Sequence, residues 1–137
     1  MALSKARNTP MRKGEVFGFP VKAGAVIHQG ALVVLNGGYA APGSTATGLI
    51  AIGRAEAEAD NSAGANGDIQ VEVRRGVFQF GNSASGDLIA QANAGADCYM
   101  VDDETVALTN GSNTRSRAGQ IAAVDDDGVW VQIGLGQ

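Results

Sequence analysis

The sequence is poor in the residues on which most enzymes and secreted modules depend. One cysteine and one histidine occur in 137 residues, so no intrachain disulfide can form and nothing points to an oxidising compartment. No apolar run approaches the roughly eighteen residues of a membrane-spanning helix, and the opening stretch MALSKARNTPMRKGE lacks the apolar centre of a secretory signal. The protein is therefore expected in solution inside a cell. Aromatics are few and scattered: Phe17, Phe19, Tyr39, Phe78, Phe80, Tyr99 and Trp130. The other apolar positions are mostly Ala, Val, Ile or Leu, which predicts a core of small side chains with a modest hydrophobic gain per residue. Self-association is a natural supplement for such a core.

The scarcity of catalytic residue types limits the chemistry. Acyl-transfer catalysis needs a nucleophile, a base within reach and a group that holds the base. His28 is the only histidine and reads as a loop or strand-end residue at the rim of the core. Cys98 has no basic residue near it in sequence, and Asp97 beside it raises a thiol pKa, so it reads as a small buried hydrophobe. No glycine-rich segment continues into a phosphate-binding pattern, and no cofactor is expected. Two acidic clusters, Asp102-Asp103-Glu104 and Asp125-Asp126-Asp127 before Gly128, are the strongest candidates for a calcium site. Their spacing does not match the alternating ligands of an EF-hand loop, and both read as solvated hairpin turns, the second of the Asp-Gly type. An enzyme is not expected.

What is abundant is glycine, twenty residues, about double ordinary usage. Glycine costs backbone entropy on folding, so turns and bulges must need it. Short apolar runs alternate with glycine or asparagine every eight to twelve residues or so, the cadence of an antiparallel sandwich or barrel. Strands are predicted near 15–20, 25–28, 31–35, 48–58, 68–80, 97–101, 105–109, 120–125 and 129–133. Two of these change phase part-way. Ile69, Val71 and Val73 are odd-numbered and Phe78 and Phe80 even, so a bulge or corner is predicted at Arg75-Gly76. Gly53 is predicted to act likewise, moving the inward set from Ile50 and Ile52 to Ala55, Ala57 and Ala59. One helix of about two turns is predicted over 85–95, with Ser85 or Asp87 near its N-cap and Gly95 as its stop.

Charge divides the chain. Lys5, Arg7, Arg12 and Lys13 stand among residues 1–14 with no acid, while six basic and fourteen acidic residues follow, leaving −8 on residues 15–137. An extended basic arm (1–14, with Pro10 preventing a regular helix) therefore precedes a single acidic β domain (15–137). No aromatic residue lies among the four basic ones, and the acidic body repels phosphates, so nucleic acid is not the expected partner. An acidic groove on another protein suits the arm better, with charge contributing orientation and association rate.

Read end to end, several segments resemble the capsid decoration (cement) proteins of tailed phages, as found in Mu-like, Pseudomonas-type phages and prophages. They are the opening Ala2-Leu-Ser-Lys-Ala-Arg-Asn8, the run from Phe19-Pro-Val to Gly30-Ala-Leu-Val33, Arg75-Gly-Val-Phe78, Cys98-Tyr-Met-Val-Asp-Asp103 and Asp127-Gly-Val-Trp-Val131. The resemblance implies a mainly β, small antiparallel β-barrel or β-tulip-like domain with one short helix. It also implies trimers on the outer capsid surface, a major capsid protein as partner, and residence in the host cytoplasm during assembly, with no catalytic residue, membrane or nucleic acid involved. Lys5, Arg7, Arg12 and Lys13 as shell contacts are inferred from charge. Tyr39 and Trp130 are candidate interface or surface aromatics. They are also the only sources of an aromatic platform, which a receptor- or glycan-binding β module would need, and Trp130 has strand parity opposite to Val129, Val131 and Ile133.

Overall fold

The structure, a computed structural model, describes residues 2, 4–9 and 14–134. It is mainly β, with two five-stranded antiparallel sheets and a two-stranded pair. The first sheet contains β1 (Val16–Pro20), β3 (Leu32–Asn36), β4 (Tyr39–Pro42), β5 (Ile50–Ala55) and β7 (Gln70–Arg74), and β2 (Val26–Ile27) pairs with β6 (Ala59–Asp60). The second sheet contains β8 (Gly76–Phe80), β9 (Asp97–Met100), β10 (Val106–Ala107), β11 (Arg117–Asp125) and β12 (Gly128–Ile133). The chain crosses between sheets at Arg75-Gly76, where the side-chain phase flips. Val71 and Val73 point into one buried cluster and Phe80 into another, so the corner predicted from the phase change is present and carries the chain from one sheet to the next.

The two sheets are built to the same plan. Numbering the five strands of each by their order along the chain, both run first, fifth, fourth, second, third across the sheet: β1-β7-β5-β3-β4 and β8-β12-β11-β9-β10. In each, one isolated parallel bridge joins the end of the first strand to the third, Val21 to Ala40 and Gly81 to Thr105. In each, the fourth strand carries an extra residue opposite the second strand, Ile52 and Ala118, immediately before a glycine. A Cβ on Gly53 would lie 2.3 Å from the Arg74 carbonyl oxygen and 3.0 Å from Val73 Cγ1. A Cβ on Gly119 would lie 2.2 Å from the Gln132 carbonyl oxygen and 2.9 Å from Val131 Cγ1. Bulged fourth strands thus press on fifth strands at the same place, and only glycine lets the backbones approach so closely. Pairing of Phe17 with Val73 and of Phe78 with Val131 completes the equivalence. Residues 16–74 and 76–133 form an internal repeat whose clearest written trace is Val16-Phe-Gly-Phe19 against Val77-Phe-Gln-Phe80.

The repeats stack head to tail, and this explains which faces are apolar. The first repeat fills its own curled interior with Val21, Ile27, Val33, Ile52, Val71 and Val73. Its opposite face offers Leu32, Val34 and Ala51 to the interior of the second repeat, where they join Ile89, Met100, Ile121, Val131 and Ile133. The register makes Asp97, Tyr99 and Arg117 the second-repeat counterparts of Leu32, Val34 and Ala51. They face outward, with Asp97 and Arg117 exposed and their charges paired at 2.8 Å. Side chains at matching places are aliphatic where a second layer covers them and charged or polar-tipped where none does.

Several expectations are corrected. The sheets do not close into a barrel: two interiors stacked on each other replace one, and each sheet's outer strands meet only at its single bridge. No α-helix spans 85–95. Two 3-10 turns, Ser85–Asp87 and Gln91–Asn93, flank an extended Leu88-Ile89-Ala90. The cause is Asn82, whose side chain accepts the Ile89 N–H at 2.9 Å and donates to the Ile89 carbonyl at 2.8 Å. Those bonds replace the helical ones and sink the Ile89 side chain into the core. Strand β4 was not predicted, because Tyr39-Ala-Ala-Pro42 is too short and bland to show alternation, and Gly37-Gly38 turns it back onto β3. Before Gly53 only Ile52 points inward, Ile50 being exposed, and after it the inward set is Ala55 and Ala59, as expected, but Ala57 is exposed.

Candidate binding surface

The most developed surface feature runs along β8, the edge strand of the second sheet. The Gly81 N–H donates to the Glu104 carbonyl at 2.7 Å and its carbonyl accepts from Val106 at 2.9 Å, so Gly81's backbone groups point away from β12. Backbone direction alternates along a strand, so the N–H and C=O groups of Gln79 and Val77 face the same open side. The two-residue turn pairing Asp125 with Gly128 sets the same phase from the other direction. Beside this edge lies a groove of about 390 Å³ lined by Arg54, Arg74, Val77, Phe78, Gln79 and Trp130. It continues into a hollow of about 310 Å³ lined by Gln79, Phe80, Gly81, Glu104 and Asp127. Gly30 lines both.

The groove is electrically graded. At its Val77 end Arg54 lies over the Phe78 ring, 4.5 Å from its centroid, and donates to Glu56 at 2.7 Å. Arg74 reaches Glu56 at 3.2 Å and Glu15 at 3.5 Å. The Arg54 bond, helped by Arg74 and opposed by partial burial, holds the Glu56 carboxyl below its usual range. The Gly81 end carries Glu104 and Asp127. On the outer face Asp125 accepts from Trp130 Nε1 at 2.8 Å, Gln79 Nε2 at 3.3 Å and the backbone N–H groups of Asp127 and Gly128. Its carboxyl is accordingly held low, chiefly by Trp130. Trp130 is 37 % exposed and Val77 47 %.

The residues singled out in the sequence fall in separate places. Lys5 and Arg7 are exposed in a stretch with neither strand nor helix, and Arg12 and Lys13 lie outside the described residues. Tyr39 is half-buried on β4 beside Gly67, on the other sheet from Trp130. His28 is exposed after β2, its Nδ1 2.8 Å from Glu58 Oε2. Cys98 is fully buried, and burial pushes its thiol up to about 12. Both acidic clusters are the predicted turns. Asp102 and Asp125 spend carboxylate oxygens on backbone N–H groups of their own turns. Among the described residues no group of three or more His, Cys, Asp or Glu side chains is placed to hold a metal ion. No described helix is long and apolar enough to cross a membrane. The groove itself was not anticipated, although Val77 and Gln79 carry its signal: with Phe78 and Phe80 inward, they must point out.

No family model, curated protein or solved structure matches the chain.

Proposed function

We propose that the chain is a structural virion protein that binds the outer surface of a tailed-phage capsid, associates as a trimer and stabilises the shell. The observation that carries the reading is the placement of charge: Lys5 and Arg7 are exposed ahead of a body holding a net −8. That is an arrangement for attachment to an acidic surface of another protein. The likeness of the segments from Ala2 to Val131 to capsid decoration proteins supports it. In this reading the major capsid protein is the partner, Lys5, Arg7, Arg12 and Lys13 face the shell, and no cofactor takes part. Cryo-EM of particles from cells co-expressing the chain and its capsid protein tests it. Trimeric density outside the shell is expected, and a bare shell under saturating expression sinks the proposal. Deleting residues 2–13 should abolish shell binding while leaving the β body folded, and full-affinity binding by the truncated protein would refute the arm's role.

A second reading, a receptor- or glycan-binding β module, is favoured by the exposed Trp130 at the rim of the groove. Ready quenching of Trp130 by iodide in the assembled protein would favour it over the first.

A further inference from the structure

Among the described residues no strand pairs with the open side of β8, which leaves a template for another strand. Two exposed apolar side chains, Val77 and Trp130, flank it, and a groove runs alongside. We propose that residues 4–9 of a neighbouring copy add to this edge as an extra strand. The inference concerns the protein alone and revises the capsid reading in one respect: it gives Lys5 and Arg7 to a neighbouring copy, so that Arg12 and Lys13 remain to face the shell.

Three observations select that occupant. Length fits, since six residues at about 3.3 Å each span about 20 Å, the reach of β8 with Gly81. Charge fits, because residues 4–9 contain Lys5 and Arg7 and no acid, while Glu104 and Asp127 line the Gly81 end and Asp125 holds the outer face beside Gln79. Neither Lys5 nor Arg7 has an ion-pair partner within its own chain among the described residues. Pattern fits as well. In an added strand Lys5, Arg7 and Thr9 share one face, and Ser4, Ala6 and Asn8 share the other. The basic set suits the face bearing Asp125 beside Gln79 and Trp130, and the small set takes the opposite face. In the single chain, residues 4–9 are exposed and form no strand, so they do not pair with the β8 of their own chain. Backbone bonding supplies the affinity in such strand addition, and side-chain pattern supplies the register.

Cross-linking of the full-length chain tests this without any capsid, so its outcome is independent of shell binding. Arg7→Cys and Gln79→Cys proteins, prepared separately and mixed at tens of micromolar, are treated with a short bis-maleimide. The buried Cys98 thiol stays silent. A covalent heterodimer should form roughly tenfold or more faster than in a mixture of Arg7→Cys with Ser62→Cys, whose thiol lies on the loop after β6, because docking raises the local concentration of one thiol around the other. Adding Gln79→Pro to an Arg7→Cys and Val77→Cys mixture should abolish the acceleration. Proline removes an outward N–H that no hydrogen bond among the described residues uses, and an edge strand tolerates it. Circular dichroism confirms folding, and Val77→Lys replaces Gln79→Pro as the blocking substitution, read with the Gln79→Cys partner, if the proline variant unfolds. Equal rates with Ser62→Cys, or coupling only within one chain carrying both Arg7→Cys and Gln79→Cys, would overturn the proposal.

Discussion

Four glycine-to-alanine substitutions separate the two reasons this chain needs glycine. At Gly119 the problem is space. An added Cβ sits 2.2 Å from the Gln132 carbonyl oxygen, and real Cβ contacts do not fall below 3.0 Å, so β11 and β12 must part by about 0.8 Å. Overpacking of this kind costs about 1–3 kcal/mol. At Gly24 the problem is conformation alone: φ is +75° and nothing lies within 4 Å of the Cβ position, which costs about 1–2 kcal/mol. Gly53 combines a 2.3 Å approach to the Arg74 carbonyl with φ at +147°, and the two penalties together come to about 2–6 kcal/mol. Gly86 has open space and no left-handed φ, so alanine there should be neutral or stabilising by up to about 1 kcal/mol. Urea unfolding, followed by Trp130 fluorescence and far-ultraviolet circular dichroism, ranks the four. Protein concentration must be fixed, because self-association adds stability by mass action. The expected order of loss is Gly53, Gly119, Gly24, then Gly86. A Gly119→Ala protein within about 0.5 kcal/mol of the parent, the usual range for a surface change, would refute the close-approach argument and weaken the equivalence of the two repeats.

Three further outcomes are expected. Asn61 is buried and its Nδ2 donates to the carbonyls of Val21, Lys22 and Ala65 at 3.2, 3.0 and 3.0 Å, so Asn61→Ala should cost about 2–4 kcal/mol in the same unfolding assay. Asp125→Asn should shift Trp130 emission to the red. Because the folded carboxyl is held below the ordinary aspartate value, its contribution is complete above that value and is lost as pH falls through the folded one. The stability gap between parent and variant should therefore close on acidification, and a gap constant with pH would exclude the Trp130–Asp125 link. Cys98, with its thiol near 12, should resist maleimide at pH 8 in the folded protein and react at once in denaturant, while prompt labelling of the native form would contradict its burial.

Much of the β architecture was legible because period-two alternation is written in single residues. The flips at Gly53 and Gly76 show in the parity of their neighbours, and Asp127-Gly128 marks its hairpin directly. What stayed hidden depends on partners distant in sequence. Ser85 to Gly95 satisfies local helix rules, but Asn82 reaches Ile89 and overrides them. The repeat is carried by pairing order and by which backbone a glycine touches, and both properties survive nearly complete replacement of side chains. Cys98 standing where the first repeat has Val33 illustrates this. Lys5 and Arg7 are both exposed, and their clustering ahead of an acidic body was legible. The groove was not, because Arg54, Glu56 and Arg74 come to the β8 edge from the other sheet.

The single-residue crossing at Arg75 also fixes an order of events during synthesis. All of the interior of residues 16–74 comes from those residues, so it closes while the remainder is still being translated. The later half lacks part of its filling until it meets Leu32 and Val34. A ribosome that stalls once residue 75 has cleared its exit tunnel should therefore carry a protease-resistant nascent domain, whereas residues 76–134 made alone lack the surface on which to complete their fold.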